Sequence, residues 1–158
     1  MGTRGLTNVI YKGEKVISQY GQWDHYPEGV GLQVLNYVRS KQLMENLKTN
    51  LNLITEAEEL EDSVWMDRDV GPEIIPLVAL NVTGEESIRL FNEADFEDSI
   101  YCEGVAVVDF DTNTYTFKHD GFEHSYPMDN LPSENEFVWA FRNDEIRDTI
   151  EKSFDKQK

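Results

Sequence analysis

Between Ser18 and Gly31 the chain reads SQYGQWDHYPEGVG, and this stretch gathers the side chains best suited to chemistry. Asp24 and His25 supply acid–base types, while Tyr20, Trp23 and Tyr26 offer flat faces on which a planar ligand can stack. Adjacent side chains diverge, so Asp24 and His25 are not expected to form a dyad; Asp24 is expected to accept backbone N–H bonds inside the loop. Pro27, Gly29 and Gly31 would hold a tight bend, with Gly31 opening a helix. Joined by Arg4 and by the N–H groups of a helix start at Gly29 to Gly31, these residues would make a nucleotide or anion cradle. The ligand-binding set is therefore Arg4, Tyr20, Trp23, Asp24, His25 and Tyr26, with Asp24 or His25 as acid–base in a hydrolytic version. The competing reading is a rigid Ω-like loop packed on its own aromatics.

Other chemistries find less support. No Gly-rich turn ends in Lys-Ser or Lys-Thr, so a P-loop is absent, and Gly29-Val30-Gly31 meets Val34 where a dinucleotide fingerprint needs glycine. A Gly-x-Ser-x-Gly elbow is missing. Asp109, Asp111, Asn113 and Asp120 copy part of a calcium-loop spacing, but Thr114 replaces the required glycine and the flanks read as strands. A hairpin turn explains the same letters. His119 and His124, five apart in sheet, are expected to point to opposite faces, so no metal site and no cofactor is expected. The lone Cys102 cannot form an internal disulfide and reads as a small buried apolar residue.

The elements that must position these residues give an α+β class: one domain over 1–158, with an N-terminal β-hairpin, central helices, a C-terminal antiparallel sheet and a terminal helix. RGLTNVIYKGEKVISQY reads as the hairpin, turning at Lys12-Gly13. Val30, Val34, Tyr37 and Val38 fall at helical spacing, and Leu43, Leu47, Leu51 and Ile54 continue it. Capping boxes at Thr55/Glu58 and Thr83/Glu86 open two further helices, the first acidic over 56–62. The two prolines and apolar run of DVGPEIIPLVALNVTG suggest a loop and then a short buried strand. The second half alternates through a turn at 111–113, and FEHSYPM forms a third strand. In EFVWAF the alternation of Phe137, Trp139 and Phe141 favours a strand, although Ser133-x-x-Glu136 is a capping box that argues for helix. Ile146, Ile150 and Phe154 mark a terminal amphipathic helix capped by Asn143 or Asp144.

Charge supplies the second functional reading. The chain of 158 residues has 31 acidic against 14 basic side chains and a formal net charge of −17. Residues 1–50 are near neutral, six bases to four acids, whereas residues 51–158 hold 27 acids and 8 bases, a net of −19. Such a field repels nucleic acid and anionic lipid and attracts basic surfaces through fast, salt-sensitive association. The expected partner is a basic protein surface, with no direct nucleic acid and no membrane. Glu56, Glu58, Glu59, Glu61 and Asp62, together with Glu93, Asp95, Glu97 and Asp98, are the candidate contact surface. The first thirty residues hold no apolar run of signal-peptide length, nowhere is there one of membrane-spanning length, and Leu6 spoils a myristoylation signature. The expectation is cytoplasmic.

The letters Gly2 to Gly5 and Gln19 to Gly31 carry a resemblance. The opening Gly-Thr-Arg-Gly and the Gln-Tyr-x-Gln-Trp-Asp-x-Tyr-Pro-x-Gly-x-Gly core resemble a family of small bacteriophage and fungal proteins. The resemblance covers about the first forty residues and brings no activity with it; what it implies is a phage or prophage setting. Together with the charge, it leads to the expectation of a non-enzymatic acidic interaction protein, a phage-encoded inhibitor of a basic, nucleic-acid-handling host protein. The alternative is a small-ligand or nucleotide-binding protein, or a hydrolase, using the Ser18–Gly31 loop.

Overall fold

The computed structural model describes residues 2–57, 69–82 and 84–156. Strands β1 (Gly5–Tyr11) and β2 (Glu14–Gly21) form the expected hairpin, with Lys12 and Gly13 both at positive φ, 53° and 78°, as a two-residue type I′ turn requires. Asp111 ties this turn to another by accepting from the Lys12 and Gly13 amides at 2.8 and 2.7 Å. The other turn joins β5 (Gly104–Asp109) to β6 (Thr114–His119), and β7 (Phe122–Pro127) follows through a second positive-φ pair, Asp120 and Gly121. The five strands lie in the order β2-β1-β5-β6-β7. All neighbours are antiparallel except β1 and β5, which are parallel; the long connection between them carries the central helices.

Those helices cover one face of the sheet. They are α1 (Leu32–Arg39), α2 (Lys41–Asn50), α3 (Ile74–Leu80) and, after the sheet, α4 (Glu134–Lys156). The main core joins Val9, Ile17, Val108, Tyr115 and Phe117 from the sheet to Val34, Leu35, Leu47, Ile75, Val78, Phe137 and Phe141 from the helices. Burying side chains of this size contributes about 1.5–3 kcal/mol each, and the covered face is where most of that gain sits. The opposite face holds a smaller cluster of Leu6, Val105 and Val107, roofed by Phe96, Tyr20 and Cys102. The class is α+β, as the sequence reading has it.

Four local readings need correction. EFVWAF is helix: Phe137 and Phe141, four apart, are fully buried, whereas Trp139 is 60 % exposed, so the true period is that of a helix and not of a strand. The capping box decides the matter, with the Glu136 amide donating to Ser133 Oγ at 3.1 Å and the Ser133 amide to the Glu136 carboxylate. Asn143 and Asp144 are consequently interior to α4 and cap nothing. The run after Gly71 is a 3₁₀ turn leading into α3, because Pro72 and Pro76 both fall in a first turn, where no amide donor is needed. Its end is capped by Asn81 in left-handed conformation and by Asn50, whose amide donates to the Val78 and Ala79 carbonyls. Ile54–Glu56 is a strand, β3, paired in parallel with β4, Ile88–Leu90. No helix therefore opens at Thr55, whose hydroxyl meets Ser87, nor at Glu86, which sits in a bend before β4. Glu58, Glu59, Glu61, Asp62 and Thr83 lie outside the described residues. Finally, the turn at Asp120-Gly121 reverses the chain between His119 and His124, so the two rings share the core face in place of opposing ones.

Candidate functional site

The site begins with three glycines. Gly21, Gly5 and Gly104 stand side by side on β2, β1 and β5, in one row across the sheet on its core face. Glycine inside a strand marks a close approach by something else, and here that is His25. A Cβ on Gly5 would stand 2.5 Å from His25 Cδ2, one on Gly21 2.5 Å from Cε1, and one on Gly104 would overlap the His25 carbonyl. The imidazole therefore occupies a trough that side chains would otherwise fill, and it is fully buried.

The chain after β2 folds to deliver the ring there. Asp24 takes a positive φ of 64°, its carbonyl accepts from the Tyr26 and Val30 amides, and a π-helical turn over Pro27–Gly31 leads into α1. Arg142 of α4 clamps this turn through Glu28. The Thr3 carbonyl receives both the His25 amide, at 3.0 Å, and the ring Nδ1, at 3.1 Å. A carbonyl can only accept, so Nδ1 carries the proton and Nε2 the lone pair. Nε2 is buried with no hydrogen-bond partner among the described residues. Burial lowers the His25 pKa below its ordinary value; the Thr3 and Trp23 carbonyls and the Asp24 and Asp69 charges oppose that effect without overcoming it. The ring is neutral near pH 7. Thr7 Oγ1, on the same strand face two residues beyond Gly5, and His119 Nδ1, across from Gly104, are likewise buried without partners among the described residues.

Above the trough opens a cavity of about 280 Å³. Gln22, Trp23, Asp24 and His25 form one wall, and Asp69, Gly71 and Glu73 form another. Gln33 of α1 joins the lining beside the apolar Val30, Val70 and Pro72, with its side-chain amide donating to Tyr37 and to Glu73 Oε1 at 2.8 and 3.2 Å. Asp69 Oδ1 accepts from the Gln22 amide at 2.8 Å and Asp24 Oδ1 from the Tyr26 hydroxyl at 3.3 Å. Each of the three carboxylates thus spends one oxygen on holding the walls, and the second oxygen of each has no hydrogen bond among the described residues. Trp23, 57 % exposed, lies at the mouth. Among the described residues no Lys or Arg lines the cavity, and their field is negative. Its capacity is to receive a donor-rich, positively charged group.

The structure brings together Trp23, Asp24 and His25 of the expected set, with Tyr26 held to Asp24, and separates the other two. Tyr20 packs edge-on against Phe96 on the opposite face of the sheet, with ring centroids 5.0 Å apart. The Arg4 guanidinium lies over the Tyr101 ring, away from the cavity. The amides of Gly29, Val30 and Gly31 donate to the Tyr26 and Asp24 carbonyls and so are spent within the loop, which removes the helix-start donors an anion cradle would use. Asp24 likewise offers its carbonyl, not its carboxylate, to the loop amides. Sequence reading missed Gln33, Asp69 and Glu73, which carry no pattern of their own. The strand glycines were a legible signal of close packing.

The remaining candidates fall elsewhere. Cys102 is half-buried against the Leu6 cluster, and its thiol is pushed up to about 11 by burial and by Glu97 and Glu103. Among the acidic contact residues, Glu56 is exposed on β3, and Asp95 and Asp98 are exposed on a 3₁₀ turn over Ala94–Asp98. Glu97 turns inward to Asn8, at 3.2 Å, and Lys15, at 3.7 Å. The Glu93 amide donates to the Ser18 carbonyl. Among the described residues no group of three or more His, Cys, Asp or Glu has the geometry of a metal site, and no helix is long and apolar enough to cross a membrane. Comparison of the chain with protein-family models, with curated proteins and with solved structures finds no match.

Proposed function

We propose that this protein is a small-ligand-binding protein whose site is the cavity between the Trp23–His25 loop and the Asp69–Glu73 segment. The observation that carries this reading is the fully buried His25, seated in a trough of three strand glycines with Nε2 lacking a partner among the described residues. An orphaned buried acceptor costs about 1–3 kcal/mol, and such groups persist where a ligand or a function uses them. The volume sits at the lower edge of the range for small-molecule sites, which suits a ligand of modest size. A hydrolytic use would cast Nε2 as general base, but its lowered basicity favours binding over proton abstraction.

The test is a thermal-shift screen against nucleotides, sugars, amines and small acids, since a ligand of the native state raises its melting temperature. A Trp23→Ala variant that stays folded and loses the response supports the reading. If no class of compound moves the melting temperature and Trp23→Ala merely unfolds, the loop is scaffold.

A second reading rests on the net charge of −17: an acidic interaction protein, in a phage setting an inhibitor, that engages a basic host protein through surfaces that include Glu56, Asp95 and Asp98. Capture from host lysate at low salt should then recover a basic partner that is lost steeply as salt is raised. Recovery of no such partner would count against it.

A further inference from the structure

Resting on the ligand-binding reading, we propose that the cavity takes a small primary or secondary ammonium, held by the carboxylates of Asp24, Asp69 and Glu73 above the His25 ring. Three features of the site converge on that chemistry. Among the described residues the lining carries three carboxylates and no Lys or Arg, so an anion is repelled and a neutral guest leaves the negative field uncompensated. The second oxygens of those exposed carboxylates make no hydrogen bond among the described residues and are open to a donor, as the first oxygens already hold Gln22, Gln33 and Tyr26. Beneath them His25 Nε2, an acceptor because the Thr3 carbonyl fixes the proton on the other nitrogen, is buried and has no partner among the described residues. Carboxylate oxygens and a lone-pair nitrogen accept, and an ammonium bearing N–H groups supplies both the donors and the charge they call for.

Size and shape narrow the class further. A cavity of about 280 Å³ admits a monoamine with a short carbon body, and the half-exposed Trp23 indole at the mouth provides a face for that body or for the cation itself. A quaternary ammonium would satisfy the charge and the indole but donate nothing, so it should bind more weakly than an amine of similar size. The Gly71 backbone roofs the imidazole: a Cβ on Gly21 would lie 2.9 Å from Gly71 Cα and 3.1 Å from Nε2. Contact with Nε2 therefore moves the Gly71 segment outward, and its positive φ of 71° lies in the left-handed region that favours glycine.

The experiment is calorimetric titration, with ¹⁵N spectra of the histidine rings, using methylamine, butylamine, phenethylamine, tetramethylammonium, 2-phenylethanol and phenyl phosphate as probes. The expected result is binding of at least one amine with a shift of the His25 Nε2 resonance, and affinity weaker by about tenfold or more for tetramethylammonium and 2-phenylethanol. Asp69→Asn with Glu73→Gln keeps the acceptors for Gln22 and Gln33 while removing charge, and should weaken the amine by a similar factor. His25→Asn, which retains a donor for the Thr3 carbonyl, should abolish the ring signal and reduce affinity while the fold, read by circular dichroism, persists. If the alcohol or the phosphate binds as tightly as the amines and shifts His25, the ammonium assignment falls and the pocket survives. If no probe binds or moves His25, both fall.

Discussion

At the scale of single residues, the row Gly21–Gly5–Gly104 and the ring it admits are the most exacting feature of the molecule. Gly104→Ala would drive a methyl group into the His25 carbonyl, which belongs to backbone and cannot rotate away. The expected loss is roughly 1–3 kcal/mol or more, the range for overpacking a tight site. Gly13→Ala is the control: nothing lies within 4 Å of its Cβ position, and only the φ of 78° opposes it, at about 1 kcal/mol. Urea denaturation of the two variants should rank them in that order, and equal losses would mean that the trough is looser than its geometry implies. His25 also makes stability depend on pH with a definite sign. Its folded pKa lies below the ordinary 6.5, so beneath that value the unfolded chain binds the proton more readily and the native state loses ground. As pH falls from above 6.5 toward about 5, where carboxylates begin to titrate, the melting temperature of the wild type should drop more steeply than that of His25→Asn. Parallel curves would show that the ring is not held neutral.

At the scale of elements, α4 shows both what the sequence makes legible and what it hides. Ser133 and Glu136 announce a helix start by a reciprocal pair of bonds, and the structure makes both. Against them stood Phe137, Trp139 and Phe141, whose alternation imitates a strand until one learns that only the first and third are buried. Burial is a tertiary fact, and a three-residue pattern cannot report it. Ser133→Ala should cost about 1 kcal/mol. Phe141→Ala, which empties a contact with Phe117, Phe137 and His124, should cost about 3–5 kcal/mol. Chemical denaturation measures both, and a larger loss at Ser133 than at Phe141 would reverse the account of what seats α4. The hairpins were legible for a different reason. Their turns need positive φ at Lys12-Gly13 and Asn113, and turn residues announce that need locally. The site was legible by half: Trp23, Asp24 and His25 are contiguous and conspicuous, whereas Asp69 and Glu73 reach them only because the crossover between parallel β1 and β5 folds back over the glycine row. Arg4 and Tyr20 were misplaced because strand alternation and the Tyr101 ring, not proximity in sequence, decide where those side chains go.

At the scale of the whole molecule, charge sets the terms on which local features operate. The net charge of −17 is carried by a body whose partly exposed ion pairs include Lys15 with Glu97, Arg142 with Glu28 and Glu145, and Lys152 with Asp148. Such partly exposed pairs contribute about 0–1 kcal/mol each and cannot offset the mutual repulsion of the surplus carboxylates. That repulsion is greater in the compact state than in the expanded one, so it works against folding. It also concentrates cations at the surface, which is the same long-range pull that would bring an ammonium to the cavity or a basic protein to the flank around Asp95 and Asp98. Salt separates these effects from short-range packing. Raising ionic strength from about 0.01 to 0.15 M shortens the screening length from about 30 to 8 Å. The melting temperature should therefore climb by a few degrees, about 2–4 °C for each kcal/mol of repulsion relieved in a chain of this size. Sodium chloride and potassium chloride should act alike, because screening does not distinguish them. Over the same interval any amine affinity should weaken, since the attraction is screened along with the repulsion. A melting temperature that stays flat or falls as salt is added would show that the surplus carboxylates are already compensated within the fold. The field assigned to the surface would then be too weak to steer a ligand of either kind.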